Sequence, residues 1–179
     1  DTNLSRAQLT QHWRAFGFRS PDDIDHYEKL LKQGAELIAS HLAPLELMLV
    51  DTKFEFGYAN DSAGDEQLIY MDEVGTPDSS RIWDAVAYRS GRVLENSKEE
   101  FRQALLRHVK DPQLLLDHTR FEERKQFAAA HALPAGMLHS VSDTYRAVAE
   151  RIIGQPVVIP QEPRESMIST LNDQFALVH

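Results

Sequence analysis

At 179 residues and 42% hydrophobic content, the chain is long enough for one domain with a sizeable core and only marginally long enough for two. Its formal net charge of −9 argues against general affinity for nucleic acid or anionic membrane, both of which need concentrated Lys and Arg. There are no cysteines, which excludes disulfides, thiolate metal sites and cysteine nucleophiles and fits a reducing cytoplasm. No run of about 18 apolar residues occurs, and the polar opening Asp1-Thr2-Asn3-Leu4-Ser5 lacks the charged and apolar regions of a secretory signal.

Helical signals come first. Ser5 with Gln8 forms a capping-box pattern, Leu9, Trp13 and Phe16 make a one-sided stripe, and Gly17 suits a helix stop. Ser20-Pro21-Asp22-Asp23 predicts a second start, with a cap, proline at the first helical position and acids in the first turn. Ile24, Tyr27, Leu31, Leu37, Ile38 and Leu42 then carry an amphipathic helix to about His41. A strand pair is expected over Leu45–Gly57 and Gln67–Val74, joined by a loop whose Asp61-Ser62-Ala63-Gly64 favours a turn. Gly75-Thr76-Pro77-Asp78 ends the second strand.

Beyond it the chain reads as helical again. Ser97 with Glu100, Asp111-Pro112 and Thr119 with Glu122 are three further helix starts. Pro134 interrupts before a stripe running from Val141 to Ile152 and stopping at Gly154. An extended Gln155–Pro160 and a last amphipathic stretch through Ile168, Leu171 and Phe175 complete the chain. The fold class is therefore α+β: a small antiparallel sheet with a charged hairpin, flanked by several helices.

The chemistry concentrates in Leu49–Gly57 and Met71–Asp84, which carry six acids and two bases on an otherwise apolar framework. In the first, Asp51, Lys53 and Glu55 share one parity, opposite Thr52, Phe54 and Phe56. In a continuous strand that places the three ionic side chains on one face, about 7 Å apart. In the register symmetric about Ala63-Gly64, Glu55 lies opposite Asp72 and Lys53 opposite Val74. Two carboxylates at ~5 Å repel by roughly 3 kcal/mol at an effective dielectric of 20, and a hard divalent cation would relieve this. The competing reading is a solvated strand face whose charges only keep the protein soluble; pattern alone leaves the two level. Arg81, on a loop with Asp78, Ser79 and Ser80, presents a planar fork for phosphate or carboxylate, with an ion pair to Asp78 or Asp84 as its plain alternative. The eight histidines form no HExxH-type pair, no G-x-S-x-G elbow occurs, and Trp13, Trp83, Phe101 and Tyr145 read as core residues, with Trp83, which follows Arg81, the one open to a role as a ligand platform.

Asp51-x-Lys53-Phe54-Glu55-Phe56-Gly57, Asp72-Glu73 with Pro77-Asp78-x-Ser80-Arg81-Ile82-Trp83, the Lys98–Gln103 segment and Tyr145–Glu150 together resemble the signature segments of the SAICAR synthetase family, ligases of purine biosynthesis. The likeness runs from about Phe18 to Ile153. It implies a reaction in which ATP, a carboxylated aminoimidazole ribonucleotide and L-aspartate give the succinocarboxamide, ADP and phosphate. It implies Glu55 and Asp72 as Mg²⁺ ligands, Lys53 as a contact to ATP, and Asp78 and Arg81 as contacts to the ribonucleotide. Lys53, Asp78 and Arg81 are then the residues at the reacting centre, and Ser80, Lys98 and Arg102 further substrate contacts.

The family's N-terminal β-rich lobe with its Gly-Lys nucleotide loop has no counterpart here. Residues 1–179 are thus expected to be one α+β domain, the C-terminal lobe of a longer-type cytoplasmic enzyme, inactive alone and partnered by the missing lobe. Homo-oligomerisation stays open. Another ATP-dependent phosphotransferase, or a non-catalytic assembly module, is the alternative.

Overall fold

A computed structural model of the chain describes residues 3–175. The Ser5–Gln8 capping box forms as expected at the head of α1 (Arg6–Gln11). A short 3₁₀ turn then stops at Gly17, whose φ of 87° is the left-handed geometry a helix stop requires. α2 (Asp23–Leu42) begins a little later than predicted. The Asp23 N–H donates to the Ser20 hydroxyl and the Asp23 carboxylate accepts from the Ser20 N–H, so Pro21 falls inside the capping turn rather than at the first helical position.

The expected two-stranded hairpin is corrected to four strands in two separate ladders. The apolar run folds as β1 (Leu47–Thr52) and β2 (Glu55–Asn60), with Lys53 and Phe54 at the crossing between them. β2 pairs antiparallel with β3 (Glu66–Met71) through the predicted turn, where the Asp61 carboxylate accepts the N–H groups of Ala63 and Asp65 and Gly64 takes φ 89°. β1 instead pairs antiparallel with β4 (Ser80–Asp84), read from sequence as loop and helix approach, with an irregularity between Leu49 and Asp51.

Two apolar centres hold these ladders. Ile82, fully buried, packs with Leu42 and Leu47, and Ile38, Leu45 and Leu49 surround them. The even positions of β2 and β3 face α2. There Tyr27 meets Phe56 edge-on at 5.0 Å between ring centroids, Phe54 meets Tyr70 at 5.4 Å, and Tyr70 donates to the carbonyl of Leu30.

The remainder is helical: α3 (Ala85–Arg89), α4 (Lys98–His108), α5 (Gln113–Leu116), α6 (Phe121–Ala130), α7 (Ala135–Ile153) and α8 (Pro163–Phe175). Asp84 caps α3 by accepting the Ala87 N–H at 2.8 Å. Ser97 caps α4, accepting from Glu99 rather than completing a box with Glu100. Asp117, not Thr119, caps the turn that leads into α6. α7 lies across α4 and β4. Thr144 donates to Glu100 at 3.1 Å, Tyr145 to Asp78 at 3.3 Å, and Arg151 to Asp84 at 3.2 Å.

Candidate functional site

β1, β4 and α4 converge on an open groove of about 580 Å³. The Lys53 N–H donates to the Ser79 carbonyl at 3.0 Å where β1 leaves its ladder, which draws the Thr76–Ser79 turn against the strand end. The Ser80 N–H donates to the Thr76 carbonyl at 2.9 Å, and Ser79 donates to the Thr76 hydroxyl at 3.2 Å, closing that turn. Lys98 then opens α4 with its N–H on the Pro77 carbonyl at 3.0 Å. A strand end, a tight turn and a helix head are thereby tied together, chiefly by backbone bonds.

Six of the predicted residues line this groove: Lys53, Asp78, Ser80, Arg81, Lys98 and Arg102. Glu55 and Asp72 do not line it. Asp72 does not face Glu55 in the sheet either: Glu55 is opposite Met71, one residue off the predicted register, and Asp72 lies just past β3 with φ 59°. Asp51, Lys53 and Glu55 therefore do not share one strand face, because the chain changes ladder between Thr52 and Glu55. Lys53 and Glu55 still meet, Nζ to Oε1 at 2.5 Å. Ser80 is buried, and its hydroxyl pairs with Thr52 Oγ1 at 2.9 Å, so it braces the groove wall.

Each of four cations in the groove holds a carboxylate. Arg81 is chelated by Asp51 through Nε at 2.9 and 3.0 Å and through its terminal nitrogen, in place of the expected pairing with Asp78 or Asp84. Lys98 meets Asp78 at 3.1 Å, Arg102 meets Glu99 at 2.6 Å, and Lys53 holds Glu55. The hydrogen bond from Arg81 lowers the pKa of Asp51, and the one from Lys98 lowers that of Asp78, each against a smaller opposing effect of burial. The Lys53 ammonium is raised by its bond to Glu55 and by the nearby charges of Asp72 and Glu73.

The fit of a divalent cation turns on Glu55 and Asp72. Glu55 sits on the Lys53 ammonium at the start of β2, and Asp72 lies just past the end of β3, beside the Met71 that Glu55 opposes. Among the described residues no group of three or more acidic or histidine side chains forms a self-sufficient metal cage. Glu55 and Asp72 are each a hard oxygen donor of the kind Mg²⁺ takes, and an ion carried in on phosphates typically keeps several waters and needs only one or two carboxylates.

Sequence reasoning missed Asp51 and Glu99 as partners of Arg81 and Arg102, and took Tyr145 as core although its hydroxyl reaches Asp78. The spacing of Glu99 and Arg102, three apart on a helix, was a usable signal for one of these. Asp51 and Tyr145 meet their partners across ladders and helices far apart in sequence.

The family model described as SAICAR synthetase matches residues 1–114 of this chain. The chain belongs to the SAICAR synthetase family. It is 51% identical over 178 residues to the phosphoribosylaminoimidazole-succinocarboxamide synthase of Aeromonas salmonicida, covering 99% of this chain and 48% of that protein. To the synthase of Shewanella amazonensis it is 52% identical with the same coverage. The chain thus spans about half the length of the curated relatives it matches. Among solved structures, a synthase from Ehrlichia chaffeensis matches with a TM-score of 0.52 and 19% identity, over 86% of this chain and 46% of that one. A SAICAR synthetase in complex with ADP matches at 0.51 and 24%, over 83% and 45%. These two likenesses establish a shared SAICAR synthetase fold.

Proposed function

We propose that this chain supplies the Mg·ATP- and ribonucleotide-facing half of a cytoplasmic ligase. The reaction joins a carboxylated aminoimidazole ribonucleotide to L-aspartate, giving the succinocarboxamide, ADP and phosphate. The observation that carries this reading is the gathering of Lys53, Asp78, Arg81, Lys98 and Arg102 in one groove, in a chain half identical to synthases of that name. A carboxylate is inert to amines at neutral pH because it offers no good leaving group. Phosphorylation supplies one, and the aspartate amine then displaces phosphate from the acyl carbon.

Most of the task left to the protein is positioning and charge neutralisation. Lys53 is assigned to the nucleotide phosphates, the fork of Arg81 and the carboxylate of Asp78 to the ribonucleotide, and Lys98 with Arg102 to its phosphate. Ser80 supports the wall from which Arg81 projects. Glu55 and Asp72 would hold Mg²⁺, which supplies positive charge to the phosphoryl oxygens. The fold neighbour solved with ADP supports an adenine nucleotide as the donor. On this reading residues 1–179 are the C-terminal lobe, and the remaining half of the relatives' length carries the nucleotide loop.

The test uses protein of the relatives' full length carrying Glu55→Gln or Asp72→Asn. Each variant is expected to keep its fold and lose more than tenfold in Mg·ATP-dependent turnover, a loss above about 1.4 kcal/mol of transition-state stabilisation. Turnover within tenfold of the parent would count against the metal role. Absence of succinocarboxamide from the parent itself would overturn the function.

A further inference from the structure

Besides the Lys98–Pro77 backbone bond, a second set of bonds at the head of α4 converges on Glu95, a residue outside every motif named above. One of its carboxylate oxygens accepts the Trp83 indole N–H at 2.8 Å, and the other accepts the Ser97 hydroxyl at 2.6 Å. The backbone repeats the connection: Glu95 forms an antiparallel bridge with Trp83, flanked by Asp84 N–H on the Leu94 carbonyl at 3.0 Å and Asn96 N–H on the Ile82 carbonyl at 2.8 Å.

Ser97 explains why a carboxylate is needed there. It is 3% exposed and its oxygen accepts the Glu99 N–H as the helix cap, so its largely shielded proton needs an acceptor within the protein. Glu95 is that acceptor. The next residue after Ser97 is Lys98, and Arg102 follows one turn later on the same helix. Trp83 is anchored through its neighbour Ile82, which is fully buried at the centre of the core.

We propose that Glu95 is a positioning residue: its carboxylate clamps Trp83 of β4 to Ser97 at the head of α4 and so fixes Lys98 and Arg102 over the groove. This rests on reading the groove as an anion site. Anionic ligand must draw Lys98 from Asp78 and Arg102 from Glu99, and a helix head that also shifted would add a further ordering cost. A glutamine at this position matches the shape but offers one acceptor oxygen for two donors, so it breaks one arm of the clamp.

The experiment uses protein of the relatives' full length with Glu95→Gln, and Glu95→Asp as a second variant that keeps the charge but shortens the reach. The first readout is the Trp83 indole proton resonance, told apart from that of Trp13 by its loss in Trp83→Phe. It should move upfield in both variants. The second is the dissociation constant for inorganic phosphate, which should rise at least fivefold. The third is steady-state kinetics, where KM for the ribonucleotide should rise at least fivefold while kcat and KM for ATP stay within twofold.

An unmoved indole resonance overturns the clamp. A shifted resonance with unchanged phosphate affinity and KM overturns the positioning role and leaves Glu95 a purely structural residue. A parent that binds phosphate but forms no succinocarboxamide overturns the proposed function, while the indole and phosphate arms still decide the clamp.

Discussion

Asp78 and Lys98 show how the groove is poised at the residue scale. Their side chains are 51% and 43% exposed, so solvent screens the pair and its net worth is at most about 1 kcal/mol. Its pH behaviour is nonetheless defined. The carboxyl is held below its ordinary value by the Lys98 bond, so its contribution is full above the unfolded value, about 3.9, and is lost as pH falls through the lower folded value. Lys98→Met should therefore raise the Asp78 titration midpoint, read from its carboxyl carbon resonance. The stability gap between variant and parent should be present at neutral pH and vanish in strong acid. The same sign holds for Asp51 with Arg81. All four bases of the groove are paired in the structure, so an anionic ligand would have to enter by exchange rather than by filling bare positive charge.

At the scale of elements, the approach of α2 to the β2–β3 ladder depends on Gly34. A Cβ there would meet the Tyr70 hydroxyl at 2.8 Å and Phe54 Cζ at 3.0 Å, both on rings locked in the aromatic cluster. Gly34→Ala should destabilise by about 1–3 kcal/mol through overpacking, outweighing the roughly 1 kcal/mol that alanine gains as a helix former. Gly136, near the start of α7, has nothing within 4 Å of the corresponding position. Gly136→Ala should be neutral or stabilising by up to about 1 kcal/mol. Denaturant midpoints of the two variants measure the contrast, and equal effects would mean that α2 and the ladder do not pack as closely as described. Because Phe54 stands at the crossing between ladders beside Lys53, a looser α2 would also be expected to loosen the edge of the groove that Lys53 lines.

At the scale of the whole molecule, the accessible surface is 13130 Å² for 20.4 kDa. A compact monomer of that mass exposes roughly 8,800 Å². Large apolar side chains contribute to the excess, among them Phe121, Phe175 and Val93 at 60% exposed and Val158 at 86%. Residues 1–179 alone should therefore bind a hydrophobic dye such as ANS. Adding the other half of the relatives' length in trans should suppress the dye signal and raise the thermal midpoint. The chain alone should also fail to form succinocarboxamide in a coupled ADP-release assay, because phosphoryl transfer needs the nucleotide clamped and water excluded. Full activity from the chain alone would show that the nucleotide site lies wholly within it.

Features that depend on near neighbours were legible along the chain. The capping box at Ser5, the Asp61–Gly64 turn, the caps at Ser97 and the stops at Gly17 and Gly154 are all set by residues a few positions apart, and they appear where the local chemistry puts them. The motif residues were legible for the same reason, since their types and spacing survive without any knowledge of the fold. Strand pairing, by contrast, was settled by contacts between distant segments. Alternation along Leu47–Asn60 suits one long strand as well as two short ones, and no local signal marks the change of ladder at Lys53. Strand register is equally silent, because a slip of one residue costs nothing locally and is settled by which face meets α2. Phe56 and Tyr70 pack against that helix, so Glu55 falls opposite Met71 and Asp72 is left to the turn. Likewise Asp51 finds Arg81, Glu95 joins Trp83 to Ser97, and Tyr145 reaches Asp78 only because a buried Ile82 draws β4 beside β1 and α7 crosses above them. Local chemistry chose the residues of the groove and paired Lys53 with Glu55 and Arg102 with Glu99, while long-range burial brought Arg81 to Asp51 and Lys98 to Asp78.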